Sequence, residues 1–205
     1  MVLRYIIVLS ATVLASSAFA QILIDESGSS GRWLGSSVRS ELSQFSSAES
    51  LRGLKRMALS ATVAGATGLI GTNMHLNFTR DFTFSLGIGM SHGFQAFNMH
   101  IKQSLGGGTV MPYFVAGYSR WYTNGPEGAV DRTSPPIMGK KFLSPRERQT
   151  GEFAENIIYP GLGLEYVTLS GDWQGLGFFA EALFLLDIDD FVAGGTGGVG
   201  TIYYF

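Results

Sequence analysis

The sequence predicts an all-β fold: an eight-stranded antiparallel transmembrane β-barrel, preceded by a signal peptide and a short N-terminal segment of helical spacing. Three observations carry that prediction. From Leu54 onward apolar and polar residues alternate with a period of two, as strands require. After residue 20 no apolar run approaches the length of about 20 residues that a spanning helix needs, so any membrane crossing falls to strands. The chain also ends on an aromatic strand, Gly200-Thr201-Ile202-Tyr203-Tyr204-Phe205.

The first element is residues 1–20. One positive charge at Arg4, the apolar run Tyr5 to Leu14 and the small residues of Ala18-Phe19-Ala20 follow the order of a secretory signal peptide, with cleavage expected before Gln21. Residues 21–53 do not alternate. Val38, Leu42, Phe45, Ala48 and Leu51 fall at three/four spacing, which predicts an amphipathic helix over about 37–51. Such a helix lies at the membrane interface or plugs the barrel; a Ser-rich, loosely ordered lead-in is the plainer alternative.

Residues 54–205 form the predicted barrel, with strands at about 56–66, 71–79, 82–92, 95–105, 110–122, 153–168, 175–188 and 196–205. The clearest has Phe82, Phe84, Leu86, Ile88 and Met90 on one face and Thr83, Ser85, Gly87, Gly89 and Ser91 on the other. The next sets Phe97, Met99, Ile101 and Leu105 against Asn98, His100, Lys102 and Ser104. The turns Arg80-Asp81, 106–109 and 170–174 are tight, whereas the connection 123–152 is long and holds four of the six prolines. Short turns on one side and a longer loop on the other suit an outer-membrane barrel.

Charge placement sets the expected register. With Phe205 outward, the inward positions of the last four strands include Arg120, Glu155, Glu165, Glu181 and Asp187. The outward set on the fifth strand is then Met111, Tyr113, Val115 and Trp121, and the sixth and seventh strands present Leu162, Leu164, Phe178 and Phe184. A cation facing lipid at mid-membrane costs about 2–4 kcal/mol, which penalises a one-residue slip.

The terminal Phe205, with Tyr203 and Gly200 before it, resembles the C-terminal signal by which outer-membrane barrels reach their insertion machinery; Gly198 stands where that signal usually has a polar residue. With its length and strand count, the region 54–205 resembles the OmpA/OmpX-type eight-stranded outer-membrane barrels. The resemblance implies residence in the bacterial outer membrane, contact with its lipids and lipopolysaccharide, delivery by the barrel-assembly machinery and a monomeric state. It brings no family-specific functional motif.

An eight-stranded barrel is just wide enough to be filled by side chains, so the lumen is expected to hold a polar network of Lys102, Arg120, Glu155, Glu165, Glu181, His75 and His100. Hairpin counting sets Arg120 opposite Glu155, and brings Glu165 and Glu181 together with Lys102 as their cation. Glu165 and Glu181 read either as an acid/base pair or as part of a structural salt-bridge network, and no nucleophile or cleft lies near them. His75 and His100 face inward with Gly87 between them, leaving room for their rings, yet two ligands are too few for a metal without a third. Asn73, Asn77 and Asn98 are equally good partners for the imidazoles.

Ser91-His92 is the adjacent Ser/His pair, but nothing supplies an orienting acid or an oxyanion hole. The Ser/His/acid sets of lipid A deacylases and palmitoyltransferases cannot be placed here. The glycines of 194–200 lack a phosphate-loop context and serve barrel closure. Neither a cofactor nor a catalytic set is expected, and a net charge of −2 argues against a nucleic-acid partner. No cysteine is present, so disulfides and thiol chemistry are excluded. The long loop carries Arg132, Lys140, Lys141, Arg146 and Arg148 against Glu127, Asp131, Glu147 and Glu152, a surface able to meet lipopolysaccharide phosphates or simply to be solvated. The expected role is a non-catalytic structural or surface-interaction protein. A lipid A-modifying enzyme and a narrow channel stand as alternatives.

Overall fold

The computed structural model describes residues 45–91, 93–123 and 141–205. The signal peptide, the predicted helix start near Ser37, His92 and loop residues 124–140 lie outside them. Eight strands follow in chain order: β1 Met57–Ala64, β2 Ile70–Asn77, β3 Phe82–Ser91, β4 Phe94–Ser104, β5 Val110–Tyr122, β6 Ala154–Val167, β7 Leu176–Asp187 and β8 Ala193–Tyr204. Each pairs antiparallel with its neighbours, and β1 closes on β8 through Ala58↔Tyr204 to Ala64↔Gly198, giving a closed barrel with no free edge.

The two faces of the wall are inverted relative to a soluble barrel. Val63, Ile70, Ile88, Phe97, Ile101, Phe114, Leu162, Phe178 and Val199, drawn from all eight strands, are exposed on the outside. The inner positions of β1 to β4 include Ser60, Thr62, Asn73, His75, Thr83, Ser85, Asn98, His100 and Lys102, all buried, with the apolar Ala58, Phe94 and Ala96 at their ends. Soluble monomers rarely expose contiguous apolar patches beyond a few hundred Å². An apolar belt around the whole circumference needs an apolar surrounding.

β1 rises from, and β8 returns to, the end of the barrel that also carries the 78–81, 105–109 and 168–175 turns; this is termed the lower end. There the Thr79 hydroxyl (2.6 Å) and the Gln103 amide (2.8 Å) hydrogen-bond to Asp81, and these bonds hold its carboxyl below the usual carboxylate range. The upper end carries the long connection, within which α2, Pro145–Thr150, starts from a capping box between Ser144 and Glu147.

A short helix, α1 Ala48–Leu54, precedes the barrel, begun by reciprocal Ser47 and Ser50 hydrogen bonds of 3.2 Å. Its buried residues Ala48, Leu51 and Arg52 share one face, as spacings of three and four require. That face packs on Ala58, Met111, Val167, Phe179, Ile202 and Tyr204, and so stoppers the lower end of the lumen. Backbone bonds from Ala48 to Gly108 (2.9 Å) and from Phe45 to Leu169 (3.2 Å) tie it to two lower turns.

One strand runs in the opposite phase to the sequence expectation. Met111, Tyr113, Val115 and Trp121 of β5 point inward and are at most 3% exposed, whereas Phe114 and Arg120 face outward. The inference that apolar means outward fails on β5 because both ends of the lumen are themselves apolar. Arg120 is accordingly no member of the lumen network. Its register partner on β6 is Asn156, while Glu155 faces Trp121. Arg120 sits near the upper end of its strand, where a charge on the outer face costs only about 0–1 kcal/mol.

Candidate functional site in the barrel lumen

The lumen is built in three layers. At the bottom, against α1, Arg52 donates to Thr83 Oγ1, and the Thr83 hydroxyl donates to Asn77 Oδ1 at 2.7 Å. The Tyr204 hydroxyl, fully buried, donates to Glu165 Oε1. Sequence reasoning missed both Arg52 and Tyr204; Arg52 lies one residue beyond the predicted helix, four residues after Ala48 on the line of its apolar face, and that spacing is the signal that would have found it.

In the middle layer, His75 is gripped on both ring nitrogens: Ser60 Oγ lies 2.8 Å from Nε2 and Ser85 Oγ 2.6 Å from Nδ1. Its ring meets that of His100 edge-on at 5.8 Å, with Nδ1 of His100 3.4 Å from the Asn98 amide. The space at Gly87 is taken by Asn73, whose Oδ1 would lie 1.9 Å from a Cβ there, so the glycine makes room for the asparagine rather than for the imidazoles. The His75 partners are hydroxyls. No third nitrogen, sulfur or carboxylate ligand joins the two histidines in a group able to hold a metal, among the described residues.

Lys102 has a different setting from the one expected. Its ammonium lies 4.6 Å from the ring centres of both Tyr113 and Phe179, clasped between two aromatic faces. Glu181 accepts from the Tyr113 hydroxyl at 3.1 Å and pairs in register with Gly163, whereas Glu165 pairs with Phe179. The two glutamates, diagonal neighbours in register, therefore accept from separate tyrosines, Glu181 from Tyr113 and Glu165 from Tyr204. Tyr159 donates to Asn98 Oδ1, adding a third tyrosine to the network. The space left among Thr62, His75, His100, Lys102 and Glu181 is about 10 Å³, room for one water molecule.

The upper layer is apolar and aromatic. The β1–β2 connection turns inward as a single 3₁₀ turn, Gly65–Thr67, and its Ala66 carbonyl accepts from Ser119 Oγ at 2.8 Å and from the Trp121 indole at 2.7 Å. Phe142 and Leu143, from the long connection, fold in over Trp121 with Phe94, Phe153 and Leu185. Glu155 and Asp187 lie buried beside this layer, and Asp189 is exposed at its rim. The filled geometry supports packing and closure of the wall; it presents no aligned nucleophile, base and acid among the described residues.

At the lower rim, Phe205 is turned outward with Tyr203, and the Phe205 amide donates to the Met57 carbonyl at 3.0 Å, closing the last rung of the barrel. Gly200 faces inward, where a Cβ would meet the Phe179 ring at 2.5 Å.

These features define a closed, eight-stranded antiparallel barrel with a solid polar lumen, the fold of small outer-membrane barrels. The chain is similar in fold to the N-terminal β-barrel domain of Pseudomonas aeruginosa OprF, at 15% identity and a TM-score of 0.51, over 73% of this chain and 96% of that one. The Yersinia pestis outer membrane protein Ail also matches, at 12% identity and a TM-score of 0.40, over 73% of this chain and 98% of that one. No family model and no curated protein sequence matches the chain.

Proposed function

We propose that this chain is a non-catalytic, non-conducting protein of the bacterial outer membrane, a plugged barrel that holds its upper end at the cell surface as a structural or contact element. The observation that carries this reading is the filling of the lumen. Leu51 of α1 seals one end, Trp121 and Phe142 seal the other, and the pocket among Thr62, His75, His100, Lys102 and Glu181 between them admits one water molecule. The lower end, with both ends of the barrel chain, is then periplasmic. The outer belt faces lipid through strands of 8 to 14 residues, near the 9–11 that a tilted crossing needs. Phe205, Tyr203 and Gly200 serve delivery by the assembly machinery, and the long connection 123–152 contacts lipopolysaccharide or another surface partner. A monomer suffices, because the barrel leaves no unpaired edge strand. Fractionation of cells expressing the full chain, with gel mobility compared before and after boiling, tests the reading. Outer-membrane protein whose mobility shifts on heating is the expected result; soluble protein with unchanged mobility overturns it.

A further inference from the structure

At the upper rim three acidic side chains converge. Glu155 on β6, Asp187 at the end of β7 and Asp189 in the hairpin that follows each offer a carboxylate oxygen, and these oxygens all lie within 4.8 Å of one another. Register brings them there. The Ile188 amide donates to the Asn156 carbonyl at 2.9 Å, which sets the hairpin against the start of β6. Glu155 is 3% exposed and Asp187 fully buried, whereas Asp189 is open to solvent.

Hydrogen bonding satisfies only part of this cluster. The Asp189 amide donates to Asp187 Oδ1 at 2.9 Å, and the Asn156 side-chain amide donates to Asp189 Oδ2 at 2.8 Å. Asn156 is held in turn by the Tyr118 hydroxyl at 2.6 Å. Glu155 Oε1 and Asp187 Oδ2 are buried, and no donor from the rest of the chain reaches them; the two carboxyl groups lie within hydrogen-bond reach only of each other at these atoms. A buried carboxylate oxygen without a donor is costly, and like charges at this spacing repel. Arg120, the cation nearest in sequence register, points out of the barrel and does not relieve them.

We infer that Glu155, Asp187 and Asp189 form a binding site for a hard divalent cation of the calcium class, which ties the start of β6 to the β7–β8 hairpin at the upper rim. All the donors are oxygens, which excludes the soft-metal sets and suits calcium, whose coordination tolerates irregular geometry and completes itself with water. Asp189 provides the route: the ion enters from solvent on the exposed carboxylate and settles on the two buried ones. Three carboxylates against one divalent ion leave the rim slightly negative rather than strongly so. The site is independent of which compartment the upper end faces.

The full chain, folded in detergent micelles, is titrated with terbium, a calcium surrogate whose emission is sensitised by nearby indole. Trp121, the register partner of Glu155, is the antenna. The expected result is saturable emission that calcium competes away, with affinity at least about tenfold weaker in Asp187→Asn and Glu155→Gln, since ligand charge count sets the affinity of such sites. Asp189→Asn, an exposed change that leaves the buried packing untouched, also weakens binding. Asp172→Asn, in a lower turn, does not. Calcium also raises the thermal midpoint of the wild type but not of Asp189→Asn. Emission that fails to saturate, or that is equal in the wild type and the Asp189→Asn and Asp187→Asn variants, overturns the site. A calcium-independent midpoint in the wild type, with Glu155→Gln more stable than it, overturns it too and shows that the buried carboxyls hold a proton between them instead.

Discussion

The two ends of the lumen solve the same problem, that of closing a narrow barrel, with different chemistry. At the lower end each buried charge meets at least one partner of opposite character from the chain itself, Arg52 on Thr83, Glu165 under Tyr204 and Lys102 between the rings of Tyr113 and Phe179, although Arg52 Nε is left without an acceptor. At the upper end an aromatic layer of Trp121, Phe94, Phe142 and Phe153 closes the lumen, and the carboxylates of Glu155 and Asp187 are left beside it with oxygens that no donor from the rest of the chain reaches. The lower plug pairs its charges within the chain and leaves only Arg52 Nε and Ser104 Oγ unpartnered. The upper rim is complete only with something added from outside, a proton or a cation. The contrast locates the inert part of the molecule and the part open to exchange with its surroundings.

The largest expected effects come from breaking either seal. Trp121→Ala removes a fully buried indole and its bond to Ala66, and costs about 3–5 kcal/mol in denaturant unfolding. Leu51→Ala unseats α1 and costs about 2–5 kcal/mol. If Leu51→Ala leaves stability unchanged, α1 is not a plug and the comparison loses its lower half.

A smaller effect separates the two kinds of buried carboxylate. Tyr204→Phe deletes the donor to Glu165 and leaves a buried acceptor unpaired, a loss of about 1–3 kcal/mol by the same measurement. Unchanged stability in that variant would mean that Glu165 finds another donor, and the ends would then differ less than the geometry indicates.

The smallest expected effect is at Arg120. Facing outward and exposed, it contributes little to the fold, so Arg120→Ala changes stability by no more than about 0.5 kcal/mol. In a double-mutant cycle Arg120→Ala and Glu155→Ala add within about 0.5 kcal/mol. A coupling of several kcal/mol would return Arg120 to the lumen and reverse the phase of β5.

That strand also shows what was legible in the sequence and what was not. β6 and β7 read cleanly because Glu165, Glu181 and Asp187 alternate with uninterrupted apolar residues, so only one phase keeps charge out of the belt. β5 offers Met111, Tyr113, Val115 and Trp121 on one face and Phe114, Ala116 and Tyr118 on the other. Neither face is polar, and the lone charge, Arg120, sits at an end where either side tolerates it. The choice is made by tertiary partners: the inner face meets α1 through Met111 and the upper aromatic layer through Trp121. The three/four spacing from Val38 to Leu51 predicted a helix over about 37–51; among the described residues the helix starts only at Ala48, after the Ser47 cap, and runs on to Leu54, which carries Arg52 into the lumen. Lys102 and the two glutamates were recognised as inward-facing; their partners were not, because tyrosine and phenylalanine read as belt residues in a barrel sequence. The acidic rim was visible only in part, since Asp189 belongs to a turn whose fold brings it back on Glu155.

The central claim, a barrel sealed along its length, is tested most directly by ion conductance of the folded full chain in planar lipid bilayers. The account predicts inserted protein that passes no steady current, with conductance appearing when Leu51→Ala and Trp121→Ala are combined to loosen both seals. Steady ohmic conductance from the wild-type chain would contradict it.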